Sequence, residues 1–290
     1  MMVKFHGEST ISHTSAIILM LATAVLWSLG GLMIKMVDCH PLAIAGIRSA
    51  IASVFLLILI RRPHFTWSFP QIAGAISLAA TFITFVMATK FTTAANAILL
   101  QYTAPIYVSL LGLWLLKEKV RSLDIITMVL VLGGMVLFLI DGLVVGGLFG
   151  DILGILAGIS FACFFVFTRM QKNESPIETV LLGNLLTALV GVPFIGIQFP
   201  DIFGWVDIIL MGIIQLGIPY ALYSIAIKRI NALEAVLTST IEPVLNPLWV
   251  LLVIGERPGQ WALTGGLIVL ISVTVRGIIS ARSVNVTAKS

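Results

Sequence analysis

Charge is scarce in this 290-residue sequence: Asp, Glu, Lys and Arg together make up 10% of it. A soluble globular domain carries about 25%. Cysteine is scarcer still, with only Cys39 and Cys163 and no CxxC spacing. Neither a disulfide framework nor a cysteine metal site is therefore indicated. The four histidines, His6, His13, His40 and His64, fall in tails or loops, which excludes a HExxH zinc centre on a helix. No GxSxG, no P-loop and no aspartate pair in facing apolar segments occurs, so the common hydrolase and nucleotide-driven pump chemistries find no residues here. No repeated filter or ring of like residues suggests a channel. The net charge of +4 comes from scattered residues, with no basic run long enough to track a phosphate backbone. Nucleic acid is not an expected partner, no cofactor or metal is indicated, and an enzyme is not expected.

What fills the sequence instead is apolar: 59% of residues are hydrophobic and the mean hydropathy is +1.11. A spanning helix takes roughly 20 residues. The apolar runs continue without the alternation of a membrane β-barrel. They predict an all-α membrane protein with ten transmembrane helices near 15–37, 41–60, 70–89, 94–116, 123–141, 150–170, 176–197, 205–227, 232–253 and 261–280. Basic residues decide the orientation. With the N-terminus inside, Lys4, Arg61, Arg62, Lys117, Lys119, Arg121, Arg169, Lys172, Lys228, Arg229, Arg276, Arg282 and Lys289 face the cytoplasm, against Lys35, Lys90 and Arg257 outside. A multi-pass protein of the cytoplasmic membrane with both termini inside is expected, in contact with the lipid bilayer; oligomeric state is not readable.

The two halves match at an offset of 138 residues, the distance from Pro105 to Pro243. Thr93–Ala97 then lies over Asn231–Ala235, Phe82 and Phe85 over Tyr220 and Tyr223, and Glu118 over Glu256. Five spans per repeat is an odd number, so the second repeat enters the membrane inverted, the architecture of alternating-access carriers. The expected organisation is a cytoplasmic tail over 1–14, a first repeat over 15–141, an inverted second repeat over 150–280 and a cytoplasmic tail over 281–290.

Residues 22–35 in the first span, Gln101-Tyr102-Thr103-Ala104-Pro105, Lys117-Glu118-Lys119, Ile241-Glu242-Pro243-Val244 and Gly255-Glu256-Arg257 resemble the EamA-type transporters of the drug/metabolite transporter superfamily. The resemblance covers residues 15–280. It implies ten helices in a five-plus-five inverted repeat, and a family that includes exporters of amino acids and related metabolites as well as uptake carriers.

Among individual residues Glu242 stands out, because it falls near the middle of the ninth span. An intramembrane carboxylate is costly unless protonated, paired or facing a wet cavity, which makes it a candidate for substrate binding and proton coupling; packing between helices is the bland alternative. Helical spacing adds Asn246 on the same face. Trp27, Ser28, Gln101, Tyr102, Tyr220 and Tyr223 lie too deep in their spans for interfacial anchors and join the candidate substrate site. Pro105, Pro243 and Pro247 are candidate hinges, since each removes a backbone donor. Arg48 lies inside the second span, where it can pair with Glu242, contact a substrate carboxylate or snorkel outward, the last being favoured because its long stem can reach the interface. Gly142, Gly146, Gly150, Gly154 and Gly158 recur every fourth residue, a pattern read as close helix packing. The expected function is an alternating-access secondary transporter of a small organic metabolite, amino-acid-like or an amine, with export and proton coupling. Two alternatives stand beside it: an uptake carrier for a cationic or quaternary ammonium compound such as choline, and a non-transporting scaffold or receptor.

Overall fold

In the computed structural model the described residues are 11–142, 147–254 and 260–287, without the side chains of 95, 138–142, 246, 247, 250, 251, 254, 262 and 280–287. Helices follow one another without a strand among the described residues. They are α1 (His13–Met36), α2 (Pro41–Ile60), α3 (Phe69–Phe91), α4 (94–116), α5 (Ser122–Gly142), α6 (Leu148–Met170), α7 (Pro176–Phe194), α8 (Ile202–Ala226), α9 (232–254) and α10 (Gln260–Thr287). Seven of these, α1 to α4 and α6 to α8, are long and apolar enough to cross a membrane among the described residues. The apolar stretches of α5 and α10 are shorter, Ser122–Leu137 and Leu263–Ile279.

Side chains that accept from first-turn N–H groups start several helices: Ser12 from Ser15 N, Thr93 from Asn96 N, Asp201 from Gly204 N and Asn231 from Glu234 N. Each such cap contributes about 1 kcal/mol. Large apolar side chains cover the outside, with Ile58, Leu189 and Phe203 each more than two-thirds exposed. In water that surface would be costly, whereas against lipid tails it is not.

Four of the helices are interrupted or widened part-way along, apart from a π-type turn that closes α4 over Gly112–Leu116 and a 3-10 turn that closes α7 over Val192–Phe194. α1 breaks at Ser28–Leu29, between the pieces His13–Trp27 and Gly30–Met36. α4 breaks at Tyr102–Thr103 and restarts at Ala104 with Pro105 in its first turn. α9 ends a first piece at Ser239 and restarts at Ile241, with Pro243 in the new first turn. The positions of the last two breaks, Tyr102 and Thr240, are related by the same 138-residue offset. Proline at the start of a helix lacks an N–H that would have had no helical partner anyway. α8 stays continuous but widens to a π-type turn over Met211–Gly217, a feature that turns up at functional sites.

The packing is paired across the halves: α2 lies on α7, α5 on α10, α3 on α6 and α1 on α8. Two of these contacts are backbone against backbone. A Cβ added to Gly46 would sit 2.6 Å from the Gly191 Cα, and one added to Gly265 would overlap the Gly134 carbonyl. The glycine run of α6 packs as expected, with Gly150 against Phe91 and Thr92, Gly154 against Leu100 and Gly158 against the Gln101 carbonyl. Gly142 and Gly146 of that run lie outside the described side chains.

Candidate functional site

The breaks of α1, α4 and α9 and the π-type turn of α8 converge on one cavity, lined by Trp27, Arg48, Thr81, Phe82, Phe85, Gln101, Phe161, Gln215, Tyr220 and Glu242. Trp27 is the last residue before the α1 break, Gln101 the last before the α4 break, Gln215 lies in the π-type turn and Glu242 just after the α9 break. Irregular backbone at membrane depth is tolerated where it lines a cavity or is buried in protein. Its volume is about 20 Å³, room for one water by the roughly 10–15 Å³ that a water needs.

The walls are aromatic. The rings of Trp27 and Tyr220 are 4.8 Å apart, Trp27 and Phe161 5.6 Å, and Phe82 and Tyr220 5.3 Å. Contacts of this kind contribute about 0.5–1.5 kcal/mol each beyond area burial.

Two groups of opposite sign face this box. Glu242 is 4% exposed. Its Oε2 lies 2.6 Å from the Tyr102 hydroxyl, which is also 2.8 Å from the Ser239 carbonyl at the end of the first α9 piece. A phenol has one proton, so it can donate to only one of these oxygens. With Glu242 protonated, the carboxyl donates to the phenol oxygen and the phenol donates to Ser239, and all partners are satisfied. With Glu242 ionised, the phenol turns to the carboxylate and the Ser239 carbonyl loses its donor.

Arg48 departs from the outward snorkel expected of it. It is 1% exposed, donates from Nη1 to Gln215 Oε1 at 3.1 Å, and sits 5.5 Å from the centre of the Phe82 ring. An amide acceptor and a cation–π contact hold the guanidinium inside, where a membrane-facing route would have left the Gln215 amide without it. Among the described residues no ion pair joins Arg48 to Glu242. Arg48 Nε, Trp27 Nε1 and Gln101 Oε1 are buried without hydrogen-bond partners. Each such group costs about 1–3 kcal/mol when left unmade, and a polar solute in the cavity would meet them.

Of the residues expected at the site, Trp27, Gln101, Tyr220 and Glu242 line the cavity together. Tyr102 reaches it through Glu242 instead of standing in the wall. Tyr223 is fully buried behind, its Oη 2.6 Å from Thr168 Oγ1 and its ring stacked on Phe164. Ser28 donates to the Val25 carbonyl and accepts from Trp249 Nε1 at 2.7 Å, which ties α1 to α9. Pro105 and Pro243 stand at the two restarts, while the side chains of Asn246 and Pro247 lie outside those described. Thr81 and Phe161 were not expected there; Gln215, about a turn below Tyr220 on the eighth span, and Arg48 are deep polar side chains that the sequence alone does not assign to the site. The signal for Arg48 and Gln215 was present: two polar side chains deep in apolar runs, with Gly30 making room for the Gln215 amide.

Comparison with known proteins places these observations. The family model described as the EamA-like transporter family matches residues 14–140 and 148–276, one match to each half. An "Uncharacterized transporter" of Archaeoglobus fulgidus is 29% identical over 196 residues, covering 67% of this chain and 71% of its own length. An "Uncharacterized transporter" of Clostridium kluyveri is 25% identical over 198 residues, covering 63% of this chain and 62% of its own. A crystal structure of another protein superposes with a TM-score of 0.78 at 20% identity, over 92% of this chain and 99% of that one, which is a likeness of fold.

Proposed function

Because the chain belongs to the EamA-like transporter family, we propose that it is an alternating-access secondary transporter of a small amino-acid-like metabolite, coupled to protons through Glu242. In this reading the chain crosses the cytoplasmic membrane ten times, as two inverted five-helix repeats with both termini in the cytoplasm. α5, α9 and α10 supply the crossings beyond the seven that meet the length and hydropathy test.

The observation that carries the reading is the place of the Tyr102 hydroxyl, within hydrogen-bond distance of both Glu242 Oε2 and the Ser239 carbonyl. It makes the hydrogen bonding at the α9 break depend on whether the carboxyl holds a proton. A proton on Glu242 and the backbone of a gating helix are thereby linked, and such linkage is reciprocal. A cavity with room for one water takes up no organic solute as it stands, so loading requires the helices around it to part.

The second charged wall favours an amino-acid-like solute over a quaternary ammonium compound. Arg48 with its unpartnered Nε suits a carboxylate, Glu242 suits an ammonium, and the rings of Trp27, Phe82 and Tyr220 suit an apolar side chain between them. A choline-like cation would leave Arg48 unmatched.

Reconstitution in proteoliposomes tests this. Glu242→Gln keeps the shape and removes the ionisable group. It should lose accumulation driven by a pH gradient while retaining exchange of substrate across the membrane; unchanged rate and pH dependence would leave Glu242 a packing role. Topology has its own test. A cysteine at Asp201, in a Cys39→Ser background, should react with an impermeant thiol reagent from outside, and one at Lys172 should not. The reverse pattern would overturn the orientation, and labelling of both would overturn the span count.

A further inference from the structure

Away from the cavity, buried charge gathers at one end of the molecule, where α1, α5 and α9 begin and the later part of α10 lies. Arg276 of α10 is 4% exposed and donates to Asp124 of α5 from Nε at 2.9 Å and from Nη2 at 2.7 Å. Its Nη1 lies 3.4 Å from Glu234 Oε1 of α9, and Glu234 Oε2 lies 2.9 Å from His13 Nε2 of α1. One guanidinium thus joins three helices, α5, α9 and its own α10, and Glu234 adds α1 through His13. Beside it Glu118 binds Arg169 at 2.8 Å and accepts from Ala232 N at the start of α9.

The repeat supplies a built-in comparison. At the offset of 138 residues, Glu234 corresponds to Asn96 and His13 to Asp151. These two also lie together, at the opposite end of the molecule, but as a chain of hydrogen bonds: Thr92 Oγ1 donates to Asp151 at 3.0 Å and Asn96 Nδ2 to Thr92 Oγ1 at 3.3 Å. Arg276 and Asp124 correspond to Phe138 and Ala262. The position that carries two carboxylates clamped by one guanidinium therefore carries, at the other end, a single carboxylate reached through a hydroxyl and an amide, with Lys35 Nζ on the Thr92 carbonyl at 2.8 Å. Buried ion pairs are poor sources of net stability but strong determinants of arrangement, because separating the partners leaves uncompensated charge.

We propose that Arg276 is a positioning residue for the transport cycle, a bolt that holds the His13–Asp124–Glu234 end shut and must release its carboxylates before the cavity opens there, while the Asp151 end is the more easily opened. The proposal rests on the alternating-access reading, yet concerns residues that the cavity does not use.

Spin labels at Thr14 and Lys119, both exposed at this end, in a background without Cys39 and Cys163, give the test. Wild type should show one short distance population without substrate. Arg276→Gln leaves two buried acids and can fail to fold, so the deciding variant is Asp124→Asn/Glu234→Asn/Arg276→Gln, which removes the guanidinium and both of its carboxylates together. It should gain a longer distance population of at least several-fold the wild-type amount, while labels at the Asp151 end stay unchanged. An unaltered distribution in a monodisperse triple variant overturns the bolt and leaves the transporter reading standing. Opening without substrate movement in either protein would keep the bolt and overturn the transporter reading.

Discussion

The breaks in α4 and α9 are the same device built twice. Each interrupts its helix at a position related by 138 residues, follows a polar end (Gln101, Ser239) and restarts with a proline in the first turn (Pro105, Pro243). Their chemistry differs. Where α9 carries Glu242, α4 carries Ala104, and where α9 carries Thr240, α4 carries Tyr102. The α4 break supplies the phenol and the α9 break the carboxyl that meets it. The two halves share one backbone device, with a phenol on one copy and an acid on the other, so the hydrogen-bonded pair exists only between them.

The largest expected effect comes from trying to exchange the two. If the halves were chemically interchangeable, Glu242→Ala/Ala104→Glu would keep transport; we expect it to abolish gradient-driven uptake in proteoliposomes, because the moved carboxyl no longer faces the Tyr102 hydroxyl. Arg48→Met comes next. Losing a charge-assisted hydrogen bond costs about 1.5–3 kcal/mol, so affinity for a carboxylate-bearing substrate should fall roughly tenfold to more than a hundredfold. Affinity for the matching decarboxylated amine should hardly change, and an equal loss for both would remove Arg48 from recognition. Trp27→Ala should weaken binding by about 0.5–2 kcal/mol, up to roughly thirtyfold, in a protein that stays monodisperse. Unchanged affinity would make the ring a packing residue. The smallest effects sharpen the likeness of the breaks: Pro105→Ala and Pro243→Ala should each lower thermal stability by a similar amount, about 0.4–1 kcal/mol, through the freer unfolded chain. A much larger cost at one of them would show that the two restarts are not equivalent.

Much of the frame was readable without coordinates, because a membrane segment announces itself by length and hydropathy alone. The runs over 41–60, 148–170 and 176–194 are helices within a few residues of expectation. The repeat was readable too, since the prolines and polar residues at the breaks keep register. Helix rotation was less accessible. Ser28 and Tyr223 are as deep in their spans as Trp27 and Tyr220, but they point to Trp249 and Thr168 and not to the cavity. Which face of an all-apolar helix turns inward depends on neighbours that a single chain read in order does not display. Arg48 illustrates the limit from the other side. A long basic side chain a few residues from a span end satisfies the snorkelling rule equally well in either direction, and only the placement of Gln215 and Phe82 decides it. Phe161 gave no signal at all, being one of 16 phenylalanines in the chain.

The glycine contacts between α2 and α7 and between α5 and α10 have a mechanical consequence. Interdigitated side chains act as gear teeth: one helix cannot tilt over another until rotamers leave their wells. Where Gly46 meets Gly191 there are no teeth, and where Gly134 meets Gly265 backbone also meets backbone, flanked by the Val269 and Leu137 side chains. At the glycines themselves, a small change of crossing angle moves backbone past backbone. These two junctions join one half of the chain to the other. They have the form of bearings, contacts at which one half of a chain can change its angle against the other.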